Sequence, residues 1–246
     1  GFGRARYARN SGAYLGALPE IDGFLLKSAS PSCGIKSVKV YMGRESSSRT
    51  GKGNGMFADA VLRAYPDLPV EDEGRLRNFT IREHFLSSVF AHARFRRARS
   101  AGGVSRLVRF HTVHKLFLLS RSESLMRTMG GVVARAKLAG ASAAFDEYGA
   151  LLRQALSRQA SFKAVINVLY HAFGGFKDVL DRAEKIFFQN SVEEYRDERI
   201  PLSVLTHLLK GWAVKYGNEY LLEQTFMEPF PRELVGITDS GKGRDL

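Results

Sequence analysis

With 246 residues, 44% of them hydrophobic and 11% aromatic, the chain can bury one large core or two modest ones, and disorder is excluded as the default reading. A single cysteine, Cys33, excludes an internal disulfide framework and a complete cysteine-built metal site within the chain, and it suits a reducing compartment, the cytoplasm. No apolar run approaches the roughly 20 residues that a membrane span needs, so a membrane is not an expected partner. The formal charge of +12 is concentrated: between Arg75 and Lys137 stand 14 Lys/Arg, 12 of them Arg, against two acids, Glu83 and Glu123. The remaining 23 basic and 23 acidic residues cancel. Solvated helix faces would account for such a segment, but so local an excess of guanidinium groups points to a polyanion, with RNA foremost.

Residues 1 to about 75 read as α/β. Phe24-Leu25-Leu26 predicts a strand buried on both faces, leading into the Ser/Pro-rich turn Ser28–Gly34. Val38–Tyr41 alternates and predicts a second strand. Ser46–Gly55 is a loop by composition. Phe57–Tyr65 has helical spacing and stops before Pro66. Two strands are too few for an independent α/β domain, so the front of that domain is expected to lie outside this sequence. Pro66–Arg77 reads as a connector.

From there the pattern is helical. Thr80-Ile81-Arg82-Glu83 has the capping-box form, with Ile81, Phe85 and Val89 following at period four. Ala101-Gly102-Gly103 is a break. Ser105 is the expected cap of the next helix, which places Leu107, Phe110, His111, His114 and Leu118 on one face. Gly130-Gly131 marks a close helix crossing. Further helices are expected near 142–157, 160–172, 176–195, 202–216 and 218–226, divided by Gly174-Gly175 and Ile200-Pro201. The fold class is therefore α+β overall but mainly α: a truncated α/β domain over 1–77, an all-α domain over 78–235, and a tail over 236–246.

Several residue sets could carry chemistry. Cys33 sits in a Pro/Gly turn just past a strand, where α/β proteins place ligands, with Lys27 and Lys36 nearby. A buried cysteine acting as a small hydrophobe is the alternative, and residue types alone leave both open. Ser30 and Ser32 are either turn formers or substrate contacts. Glu71, Asp72, Glu73 and Arg75 form a compact cluster that reads as an inter-domain ion-pair network or as a carboxylate orienting water. His111 and His114 share a helix face, and with His171 they suggest a metal-dependent hydrolase, although buried, hydrogen-bonded histidines fit the spacing better. Arg94-Phe95-Arg96-Arg97-Ala98-Arg99, with Arg106, Arg109 and Lys115, reads as an RNA groove in which Phe95 stacks on a base, or as a solvated helix end. Trp212, Tyr216 and Tyr220 read as core.

Gly23-Phe-Leu-Leu-Lys-Ser-Ala-Ser-Pro-Ser-Cys-Gly34, Gly55-Met-Phe-Ala58 and Pro69-Val-Glu-Asp-Glu-Gly-Arg-Leu76 resemble motifs of the thiouracil-desulfidase family. The helical part resembles the YbgA-like domain often fused behind it, through Phe110-His-Thr-Val-His-Lys115, Asn167-Val-Leu-Tyr-His171, Gly175-Phe-Lys177, Tyr195, Pro201-Leu202 and Tyr220-Leu-Leu-Glu-Gln224. The resemblance spans about 12 to 235. It implies a 4Fe-4S cluster held by three cysteines, with one iron open to take the substrate's sulfur so that water replaces it at carbon.

On the same resemblance Cys33 is the last of the three ligands; the other two, one beside a glutamate, are not in this sequence. Ser30 and Glu73 are then the catalytic candidates, and Lys27, Ser32 and Gly34 the substrate-binding ones. Arg94, Arg96, Arg97, Arg99, Arg106, Arg109, Lys115, His111 and His114 become the RNA-binding set. The fused form implies an iron–sulfur desulfidase converting 4-thiouridine to uridine in tRNA, inactive as these 246 residues alone. A non-catalytic tRNA- or RNA-binding module is the alternative.

Overall fold

The computed structural model describes residues 11–36, 38–41 and 49–235, the side chains of residues 40, 41, 49 and 50 excepted. The fold is mainly helical, with a small α/β part followed by a helical part. The described residues divide into two compact units, 11–93 and Arg94–Val235. The division falls inside a helix, Phe79–Ala101.

In the first unit, residues 11–16 are helical (α1). Strand β1 (Phe24–Leu26) forms as expected, but it is not buried on both faces: Leu26 is buried while Leu25 is 59% exposed. Neighbouring strand residues face opposite ways, and only one face of β1 is covered. Strand β2 (Val38–Tyr41) pairs antiparallel with β3 (Arg49–Gly53), Val38 opposite Gly53 and Lys39 opposite Lys52, with a register shift at Val40/Tyr41. A loop over Ser46–Gly55 is thus corrected for 49–53, where ladder bonds to β2 override a glycine-rich composition; residues 46–48 lie outside the described set.

Helix α2 (Met56–Ala64) ends at Tyr65 because the residue before a proline is driven out of the helical region. The connector contains a strand that the sequence pattern hid. Strand β4 (Val70–Asp72) pairs parallel with β1, Phe24 opposite Val70 and Leu26 opposite Asp72. A turn of 3-10 helix, Arg75–Arg77, follows. Leu26, Ile35 and Ala58 form the small core of this unit, with Phe24, Cys33, Phe57 and Val70 packed against it.

Helix α3 (Phe79–Ala101) starts one residue before Thr80, so Thr80 is not its cap. Asn78 takes that role: its Oδ1 accepts from the Ile81 N–H at 3.0 Å. Helix α4 (Val104–Arg121) follows the break, whose glycines have φ of 69° and 81°. Gly103 is its N-cap and Ser105 lies inside it, making no capping bond. Then come α5 (Glu123–Ala139), α6 (Ala141–Leu156), α7 (Phe162–Gly174), α8 (Arg182–Arg196), α9 (Leu202–Lys215) and the short α10 (Glu219–Leu222). Gly130 lies where α5 meets α4: an added Cβ would stand 3.4 Å from His111 Nε2.

The helical core holds two aromatic groups, one of them Phe95, Phe110, Phe145 and Tyr148. The other gathers Phe173, Phe176, Phe188 and Trp212. Trp212 is core as expected, whereas Tyr220 is 44% exposed. Among the described residues no helix is long and apolar enough to cross a membrane.

Candidate functional site

The site is built around the turn between β1 and β2. Ser30 Oγ accepts from the N–H groups of Ser32 (3.3 Å) and Cys33 (3.2 Å), and the Ser30 carbonyl accepts from Gly34 N–H at 2.8 Å. The hydroxyl thus closes the turn from inside, and neither bond uses its own proton. The turn rests on the first turn of α2. Ser32 O accepts from the N–H groups of Phe57 (2.9 Å) and Ala58 (3.1 Å), and Gly34 O accepts from Gly55 N–H at 2.8 Å. These are amides that a helix start would otherwise leave unsatisfied. The approach is so close that a Cβ on Gly55 would lie 2.2 Å from Ser32 O and 2.7 Å from Cys33 N.

Two non-glycine residues with left-handed backbone, Ala29 and Lys36, each with φ 54°, bracket the turn. Each conformation costs on the order of 1 kcal/mol. A side-chain bond stands at or beside each. Glu73 accepts from Ser28 N (2.7 Å), from Ser28 Oγ (2.7 Å) and from Lys27 Nζ. The Lys27 ammonium, then the Ser28 donors, pull the Glu73 carboxyl down to about 2. At the far end, Lys36 N donates to Asn54 Oδ1 at 2.8 Å, and Asn54 Nδ2 donates to Asp59 Oδ1 at 2.9 Å. Asn54 and Asp59 also line an open groove of about 960 Å³ between α1 and α2.

The acidic cluster resolves into separate tasks. Arg75 forks onto Glu71 (2.6 and 3.2 Å), and its N–H donates to Asp72 Oδ1 at 2.8 Å. These partners and those of Glu73 all lie within the first unit. Of the expected site residues, Ser30, Ser32, Cys33 and Gly34 share one hydrogen-bonded turn, and Lys27 and Glu73 pair at its leading end. The roles of Asn54 and Gly55 were not read from the sequence; the signal available was an Asn-Gly pair opening a helix.

Cys33 is half-buried and is the sequence's one cysteine. Among the described residues no three His, Cys, Asp or Glu side chains converge as a metal-binding group. A cluster held by three cysteines therefore does not fit the residues of this chain by themselves, which offer it one thiolate.

The basic segment is less uniform than its sequence suggests. Phe95 is buried, stacked on Tyr148 at 5.7 Å and edge-on to Phe110 at 5.3 Å, so it is core and not a platform for a base. His114 is buried, with Nδ1 bonded to Phe110 O at 2.9 Å, and His111 Nδ1 meets Tyr148 Oη at 3.0 Å. Arg94 donates to Pro229 O at 2.6 Å. Arg99 is paired with Asp146, and Arg109 forks onto Glu223 at 2.5 and 2.6 Å. Arg97, Arg106 and Lys115 are exposed and in no ion pair among the described residues, and Arg96 is half-buried.

Residues 5–73 match the family model described as 2-thiouracil desulfurase, and residues 115–231 match a model described as a protein of unknown function, DUF1722. The chain is similar to the protein named "Uncharacterized protein YbgA" of Escherichia coli (strain K12), 26% identical over 136 residues that cover 55% of this chain and 80% of that protein. No solved structure matches the chain. The cysteine turn thus lies inside the stretch that matches the desulfurase model, and most of the helical unit inside the stretch that matches the DUF1722 model.

Proposed function

We propose that the chain contributes its cysteine turn and helical unit to a cytoplasmic desulfidase activity that converts thiolated uridine in tRNA, 4-thiouridine foremost, to uridine by exchanging the C=S sulfur for oxygen from water. The observation that carries this reading is the Ser30–Gly34 turn, seated on the start of α2 within the stretch that matches the 2-thiouracil desulfurase model. Cys33 would supply one thiolate to an iron–sulfur cluster, whose other two cysteine ligands this chain does not contain. Ser30, whose hydroxyl proton neither turn bond uses, is the candidate to pass a proton to the substrate. The exposed Arg97, Arg106 and Lys115 offer phosphate contacts.

The test supplies the chain with a segment carrying two further cysteines, assembles the cluster without oxygen, and follows the 4-thiouridine content of tRNA. Conversion abolished by Cys33→Ala is expected. Conversion unaffected by that substitution would end the proposal.

A second reading, a non-catalytic RNA-binding module, draws on the single thiolate and the same exposed cations. It expects tRNA affinity that falls linearly, on logarithmic axes, with salt, and no turnover in any assembly.

A further inference from the structure

Hydrogen bonds inside the Ser30–Gly34 turn define its shape but not its direction. The start of α2 holds the turn through Ser32 O and Gly34 O, while its two ends are held separately, where the backbone is strained on both sides, at Ala29 and Lys36. Strain of this kind persists only where surrounding contacts over-determine it. The contacts that do so here come from outside the turn: the Glu73 carboxylate on Ser28, directly before Ala29, and the Asn54 amide on the N–H of Lys36 itself. Neither side chain reaches the turn's interior bonds. Both oxygens of Glu73 are engaged, one by Ser28 N and the other by Ser28 Oγ and Lys27.

We infer that Glu73 and Asn54 are positioning residues that clamp the two ends of the Cys33 turn, with glycine required at position 55 because the turn's backbone occupies the space of its Cβ. Asn54 is itself oriented by Asp59. Glu73 acts through Ser28, not on a substrate proton. The relevance to sulfur removal rests on the function proposed above; the placement of Cys33 does not.

The measurement is the rate at which iodoacetamide alkylates Cys33 in the 246-residue chain, where one cysteine makes the signal unambiguous. Glu73→Ala and Asn54→Ala are expected to speed alkylation by about threefold or more, as local opening exposes a half-buried thiol. The acceleration should be flat in urea below the unfolding transition, because local opening exposes little surface. Glu73→Gln keeps a carbonyl acceptor for Ser28 and should fall between parent and Glu73→Ala. Gly16→Ala, where an added Cβ meets nothing within 4 Å, is the silent control.

Gly55→Ala should give the largest effect; if it fails to fold, the other two variants still decide. Rates within about twofold of parent for both alanine variants would overturn the inference, as would acceleration that grows with urea in step with global unfolding. Accelerated alkylation of this chain, combined with no desulfidation by the cluster-loaded assembly described above, would remove the proposed function and leave the clamp standing.

Discussion

Gln224 is inserted into helix α4 opposite Leu116: its Oε1 accepts from Leu116 N–H at 3.1 Å, and its Nε2 donates to Thr112 O at 2.9 Å. Residues 112 and 116 are partners in an ideal helix ladder, so one side-chain amide engages both groups of a single ladder position. Thr225 extends the insertion, its N and Oγ1 both donating to Val113 O (2.9 and 3.2 Å). Gln224 is buried, and this closing segment thereby anchors α4 where His111 and His114 sit.

Gln224→Glu is expected to cost more than Gln224→Ala. The carboxylate cannot donate to Thr112 O and would be a buried charge, whereas alanine leaves the two backbone groups to the helix's own ladder. Losses of about 1–3 kcal/mol for alanine, and more for glutamate, are expected in urea unfolding at neutral pH. Equal midpoints for glutamate and glutamine would contradict this account.

His114 should make the protein acid-sensitive. Its ring stacks on Phe110 with centroids 3.9 Å apart, Nδ1 faces the Phe110 carbonyl, and Nε2 is buried with no hydrogen-bond partner among the described residues. Burial pushes its pKa from 6.5 down to about 3. The unfolded chain therefore binds a proton that the folded chain refuses between those values. Stability is unaffected above about pH 6.5 and falls as pH drops below it, by up to about 1.4 kcal/mol per pH unit from this group. Comparing urea midpoints for the parent and His114→Leu from pH 7 to 4 isolates that slope; parallel curves would show that His114 does not titrate in this way.

Phe95 should behave as core. Phe95→Ala is expected to destabilise by about 3–5 kcal/mol. Phe95→Leu, if folded, should bind tRNA like the parent under the function proposed here. Affinity lost by the folded leucine variant would return Phe95 to the RNA surface.

The arginines should separate into two groups. Arg97→Ala and Arg106→Ala are each expected to lower the slope of log affinity against log salt for tRNA by about 1, the signature of one lost phosphate contact. Arg109→Ala should change that slope less, because its fork is held by Glu223. Glu223→Gln should leave the urea midpoint close to the parent's, as this pair is exposed. Equal slopes for Arg97→Ala and Arg109→Ala would show that the ion pair does not withhold Arg109.

Local order along the chain was enough to read much of this protein. The bounds of β1 and β2, the helix at Met56–Ala64 and the breaks at Gly102-Gly103 and Ile200-Pro201 all follow from apolar period and from the backbone limits of glycine and proline. The turn around Cys33 was likewise visible, because Ser, Pro and Gly in that order have few other uses. Tertiary structure alone decided the rest. Strand β4 exists because β1, more than 40 residues earlier, offers it a ladder. Glu73 reaches Ser28 across 45 positions, and Arg109 reaches Glu223 across 114. Asn54 and Gly55 meet the cysteine turn only where its backbone lies on the start of α2. Phe95 is core because Phe110, Phe145 and Tyr148 close over it. In each case a side chain's task is set by a partner far along the chain, and no local period encodes where such a partner will be.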